Sequence, residues 1–242
     1  MFFYFILMFI LFILIAYLKS PHFKGKVGEM QVSADVTKNL GEEYILLNNC
    51  TLPDHEQGTT QIDHILISPY GVFIIETKNY TGWIFGNARQ KQWTQKIYKK
   101  SYKFQNPLHQ NYKHTKVLET VLNDVVAPEY IHSVIVFTAR SEFKTEMPEN
   151  VCRGKSWLNY IKGFNQEVIS PMKQKRIRYR IEKEVLEPSW KTDRQHVEHL
   201  KTEKAGERIF FLILNTGDLL HVICAILRLW FDRDHVNLHL MY

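Results

Sequence analysis

Asp63, Glu76 and Lys78 punctuate two apolar, β-branched stretches on either side of Ser68-Pro69-Tyr70-Gly71. Two carboxylates and an ammonium set into such strands suit phosphodiester hydrolysis. That reaction needs an activated water, neutralised charge on the phosphate and help for the leaving oxygen. One or two Mg²⁺ ions supply much of this, and Mg²⁺ takes one or two carboxylates while keeping several waters. Asp63 and Glu76 are the candidate ligands for Mg²⁺ (or Mn²⁺), with the Thr77 carbonyl as a possible extra ligand. Lys78 would sit beside the attacked phosphate, stabilising charge or positioning the water. Gln61 would orient a water. The plainer reading of the same residues is a Glu–Lys pair solvating an apolar sheet, and pattern alone favours it.

The elements that must position these groups are two strands and a turn. Pro at the second and Gly at the fourth position of Ser68–Gly71 mark a β-turn, and the flanking runs complete a hairpin. A four-residue loop pairs Ile67 with Val72, which sets Asp63 opposite Glu76 and Gln61 opposite Lys78 on one face. A three-residue loop with Gly71 as a left-handed bulge instead pairs Ser68 with Val72 and turns Glu76 and Lys78 away. The first register is preferred, because the second buries isolated charges at a cost. In either register His64 points to the face opposite Asp63, which makes it a core or helix-facing histidine rather than a general base.

With these residues in place the chain resembles the PD-(D/E)XK nuclease superfamily, and in its fuller pattern the NERD (nuclease-related domain) branch. The matching residues are Gly25-x-x-Gly28-Glu29, Gln61-Ile62-Asp63-His64, Gly71-Val72-Phe73, Glu76-Thr77-Lys78-Asn79-Tyr80-x-Gly82, Trp93, and Asn106-Pro107 followed by Gln110. The resemblance covers about residues 24 to 125, less than half the chain. The resemblance implies a restriction-endonuclease-like α/β core, a mixed sheet flanked by helices. It implies a metal-dependent nuclease with Asp63, Glu76 and Lys78 at its centre. It also implies that Glu29 borders the site. DNA is expected before RNA as the substrate.

Residues 1–18, MFFYFILMFILFILIAYL, are uninterruptedly apolar. A helix of this length rises about 27 Å, close to the roughly 30 Å hydrocarbon core of a bilayer. No basic stretch precedes the run and no small-x-small cleavage site ends it, so a transmembrane anchor is expected rather than a signal peptide. Lys19, Lys24 and Lys26 follow, which places the remainder on the cytoplasmic side and the N-terminus outside. The next stretch, Gly25–Leu40, reads as a helix on the spacing of Val27, Met30, Ala34 and Thr37, with Glu29 in its first turn.

Between Gly86 and Lys116 stand Arg89, Lys91, Lys96, Lys99, Lys100, Lys103, Lys113 and Lys116, with no Asp or Glu among them. Trp93, Tyr98, Tyr102, Phe104 and Tyr112 are interleaved. Cations with aromatics suit a phosphate backbone and base stacking; Lys96, Lys99, Lys100 and Lys103 are the candidate nucleic-acid contacts. The anionic cytoplasmic membrane surface is the competing partner.

Glu43–Leu52 and Ile131–Thr138 read as strands. Helices are expected from Asn106-Pro107 to Leu122, over Ser156–Phe164, and from Ser170-Pro171 to Leu186. The organisation is an anchor at 1–18, a nuclease-like domain at 19–140, a helical extension at 141–203 and an apolar tail at 204–242. The tail has no functional reading. Three separated cysteines imply neither a disulfide framework nor a metal site. The function expected is a membrane-anchored, metal-dependent nuclease. The alternative is a non-catalytic, membrane-tethered module that binds nucleic acid or protein on the same scaffold.

Overall fold

Ser20 divides the N-terminal region into two helices. In the computed structural model, which describes residues 2–54 and 58–186, helix α1 runs from Phe2 to Lys19 and α2 from Pro21 to Asn39. The Ser20 hydroxyl accepts the Phe23 N–H and Pro21 occupies the first turn, a strong start signal for a new helix. This corrects two expectations. No single described helix is long and apolar enough to cross a membrane; α1 and α2 meet that requirement only together, as a pair bent by 57°. And α2 starts before Gly25, so Glu29 lies beyond its first turn and the helix dipole does not account for it. The face expected for this helix also shifts. Val27 and Met30 are exposed, whereas Gly28, Val32, Asp35 and Val36 are buried.

The remaining elements are strands β1 (Ile45–Asp54), β2 (Gly58–Ser68), β3 (Gly71–Lys78), β4 (Gly82–Phe85), β5 (Gln92–Ile97) and β6 (Lys100–Gln105), helix α3 (Pro107–Val121), strands β7 (Ile131–Phe137), β8 (Ser141–Phe143) and β9 (Val151–Arg153), and helices α4 (Ser156–Lys162) and α5 (Pro171–Glu184). They build two mixed sheets, ordered β1-β2-β3-β7-β9 and β6-β5-β4-β8. β2 and β3 are antiparallel, and β7 runs parallel to β3. The α/β mixed-sheet expectation holds. The segment after residue 140 is not wholly helical, because β9 joins the first sheet beside β7. The apolar tail, His199, His221, His235, His239 and Cys224 lie outside the described residues.

Side-chain alternation along β3 fixes which helix sees which residue. Val72 and Ile74 pack with Ile65, Ile67, Leu118 and Ile177, towards α3 and α5. Phe73 and Ile75 pack with Leu66, Val32, Val36 and Trp157, towards α2 and α4. The second sheet attaches through Ile84 and Trp93, which meet Ile135, Phe137 and Val151. Asn106 caps α3 through its side-chain oxygen and donates to the carbonyls of Asn87, Ala88 and Gln90. Trp93 donates its ring N–H to Asn87. These two motif residues therefore hold the loop and the second sheet in place rather than line the site.

Candidate functional site

The β2–β3 hairpin takes the preferred register. Ile67 pairs with Val72 and the ladder continues to His64 opposite Ile75. Ser68 also pairs with Gly71, so the loop is tighter than expected, but the register is unchanged. The Ser68 hydroxyl donates to the Gly71 carbonyl and accepts the Tyr70 N–H, closing the turn. Beyond His64 the ladder stops. The carboxylate of Asp63 there accepts the Thr77 N–H at 2.8 Å, taking the place of a strand carbonyl.

Glu76 and Lys78 follow Ile74 on the α3 side, and Asp63 joins them from the end of β2 through the Thr77 N–H; strict alternation is broken here, since Ile62 and Ile65 both enter the α3-side core. Lys78 Nζ donates to Glu76 Oε1 at 2.6 Å and to Gln110 Oε1 at 2.9 Å. Glu76 is almost wholly buried. Its other oxygen faces His114 Nε2 at 3.5 Å, an electrostatic contact rather than a full hydrogen bond. His114 Nδ1 lies 2.7 Å from the Thr60 hydroxyl. Gln110 and His114 stand four residues apart on α3, and hence on one face of it.

Glu29 arrives from the helix on the opposite face of the sheet. Gly28 permits this: a Cβ there would fall 2.8 Å from Asn79 Cβ and 3.2 Å from the Thr77 methyl. Asn79 also donates to the Lys24 carbonyl at 2.6 Å, pinning the start of α2 to the end of β3. The motif glycine and asparagine thus serve the approach of a carboxylate-bearing helix. Gly82, with φ +79 and no room for a Cβ against the Lys96 carbonyl, serves the turn into β4 in the same way.

The carboxylates perturb one another. Burial, then the neighbouring Glu76 charge, pushes Asp63 well above its usual range against the opposing pull of the Thr77 N–H. Burial and Glu76 also raise Glu29. Burial would raise Glu76 too, but the Lys78 ammonium and the His114 ring outweigh it and hold this carboxyl below its usual range. Lys78 is raised in turn, the Glu76 carboxylate overcoming the effect of burial. Asp63 and Glu76 share the Lys78 ammonium, while Glu29, repelled by Glu76, has Lys26 as its own counter-charge. The oxygen donors and the unbalanced negative charge fit a hard divalent cation held by Asp63 and Glu76. Among the described residues no group of three or more His, Cys, Asp or Glu side chains forms a ready-made metal cage, so such an ion would complete its shell with water or carbonyl oxygens.

Residues 24–138 match the model of the nuclease-related domain, NERD. The chain carries a NERD domain. This family belongs to the PD-(D/E)XK-like nuclease superfamily, so the resemblance read from the motif residues holds. An uncharacterized protein of Bacillus anthracis is 48% identical over 102 residues, which cover 42% of this chain and 48% of that protein. The chain thus spans about half the length of the curated relative it matches. No solved structure matches it.

Within the NERD domain, Glu29, Asp63, Glu76 and Lys78 lie close enough to act on one another's charge. Gln61 instead lies exposed, and its amide donates to Asn49 at 3.5 Å. His64 takes the opposite face, buried against Asn48, and burial pushes it down to about 4. His114 and Thr60 are absent from the sequence reading, and Gln110 enters it only as a motif residue. The legible signal was the four-residue spacing of Gln110 and His114 on a helix whose start, Asn106-Pro107, is clear.

Of the basic candidates, Lys103 bonds the Thr94 hydroxyl. Lys99 and Lys100 are exposed at the β5–β6 turn. Lys113 and Lys116 are less available than an acid-free run suggests, since Asp54 and Glu119 pair with them from outside it or across the next helical turn.

Proposed function

We propose that this NERD domain protein is a divalent-metal-dependent nuclease that hydrolyses phosphodiester bonds, with DNA as the favoured substrate. The observation that carries the reading is the convergence of Asp63, Glu76 and Lys78 at the hairpin end, where the strand ladder has opened. A Mg²⁺ or Mn²⁺ ion bound by Asp63 and Glu76 would supply Lewis-acid neutralisation of the phosphate and lower the pKa of water. Lys78, already held by Glu76 and Gln110, would present its ammonium to the attacked phosphate and stabilise the charge that builds there. Glu29 would orient the attacking water from the far side. The His114 ring lies against the second Glu76 oxygen, and the Thr77 N–H fixes Asp63. The apolar run at 1–18, in a bent α1–α2 pair that together has the length and composition to cross a membrane, would tether the N-terminus, and Lys19, Lys24 and Lys26 after it favour a domain on the cytoplasmic side.

One observation favours the non-catalytic alternative: both oxygens of Glu76 already face cations or donors, Lys78 and His114. The two readings separate on cleavage. Purified full-length protein should cut DNA with Mg²⁺ or Mn²⁺ and stop with EDTA. Asp63→Asn and Lys78→Ala should each reduce cleavage by orders of magnitude while the fold survives. Metal-independent cutting, or cutting indifferent to both substitutions, overturns the nuclease reading.

A further inference from the structure

The second sheet turns one face to solvent, and its side chains have no part in the site above. Pairing sets Trp83 opposite Lys96, Lys96 opposite Ser101, and Thr94 opposite Lys103; residues directly paired share a face. The other face carries Ile84, Trp93 and Phe104, which pack into the core. Trp83 is 44% exposed. Lys96 and Lys144 hold their ammonium groups 5.8 Å and 4.9 Å from its ring centroid. At the β5–β6 turn Tyr98 is 94% exposed with φ 52. A bulky residue at positive φ is strained, and this ring gains no burial in return. Glu142 shares the face with Trp83, but Lys144 pairs with it, so the lysines still dominate.

We propose that this face is a stacking platform for single-stranded nucleic acid. Trp83 and Tyr98 take bases on their rings, and Lys96 and Lys103 on the face, with Lys99 at the turn, take the phosphates. The proposal deepens the nuclease reading and rests on it for the class of ligand. Lysines alone would serve any polyanion. Exposed rings distinguish the strands, because the π-faces of duplex bases are covered by their neighbours while those of a single strand or a frayed end are free. The platform is also near the candidate site. Lys78 ends β3 and Trp83 is the second residue of β4, a link of at most about 17 Å of extended chain.

The test is equilibrium binding of the full-length protein, in EDTA, to a fluorescent oligo(dT) and to a duplex of equal length. EDTA removes cleavage from the measurement. Wild-type binding of oligo(dT) without cleavage under any metal therefore sinks the nuclease and spares the platform. Trp83→Leu and Tyr98→Ala should each weaken oligo(dT) binding by about 5- to 150-fold. Trp83→Phe should restore most of it, and duplex affinity should change far less. Unchanged oligo(dT) affinity in Trp83→Leu overturns the platform, as does an equal loss on both ligands. Retained oligo(dT) affinity with weakened sedimentation onto phosphatidylglycerol vesicles overturns it in favour of a membrane surface.

Discussion

Replacing Lys78 with Met keeps the length of the side chain and removes its charge, leaving Glu76 buried with only the His114 ring beside it. The ammonium lies 2.6 Å from the carboxylate, and the two side chains are 15% and 4% exposed. Removing one partner of a buried pair costs about 3–5 kcal/mol, most of it the desolvation of the charge left behind. For a chain of this size each kcal/mol is worth about 2–4 °C, so Tm should fall by roughly 6–20 °C at pH 8 in EDTA. The pH dependence gives the mechanism. In the wild type Glu76 is held low, so its contribution is present above the unfolded-state value and is lost only as pH falls through the lower folded one. Without Lys78, burial raises Glu76, and the penalty is relieved as pH falls through that raised value and the carboxyl takes up a proton. The deficit should therefore shrink between pH 8 and pH 5. Lys78→Met/Glu76→Gln should recover most of the loss at pH 8. Thermal unfolding of the full-length protein in detergent at the two pH values measures all of this. A deficit below about 1 kcal/mol, or one independent of pH and not rescued by the double variant, refutes the buried-pair argument.

Asp63 titrates with the opposite sign: raised in the fold, it costs stability as pH climbs through its folded value. Asp63→Asn should therefore raise Tm in EDTA at neutral pH and abolish any Mg²⁺-dependent gain in Tm, read by the same unfolding assay. Gly28→Ala should force α2 away from Thr77 and Asn79, lose about 1–3 kcal/mol, and depress cleavage more than a distant substitution of equal cost; equal activity would show that Glu29 need not be held so closely. Neutralising Lys96, Lys99, Lys100 and Lys103 together should flatten the salt dependence of duplex binding, by about 0.9 in log–log slope for each phosphate no longer neutralised. Protease added outside intact cells should spare the domain if α1 and α2 tether it on the cytoplasmic side, whereas digestion from outside reverses the orientation.

The hairpin was legible because its determinants are local. Ser68-Pro69-Tyr70-Gly71 sets the loop, a period of two sends Glu76 and Lys78 to one face of β3, and the register brings Asp63 beside them. The helix starts at Asn106-Pro107 and Ser170-Pro171 were legible for the same reason, since a cap and a first-turn proline act within one turn. Spacing failed where burial is decided by a neighbour. Val27 and Met30 were natural choices for the inner face of α2. The helix instead turns Gly28 inward, because only a residue without Cβ fits against Thr77 and Asn79. The strands of the basic segment went unread because β4, β5 and β6 exist through pairing with one another and through Trp93 stacking on Phe137. His114 shows the limit most plainly. Nothing local marks it, and it meets Glu76 only because α3 crosses the sheet at that point. The sequence by itself determined the carboxylates, the lysine and the register that joins them. The tertiary structure decided which helices supply Glu29, Gln110 and His114, because contacts between distant segments depend on packing rather than on spacing.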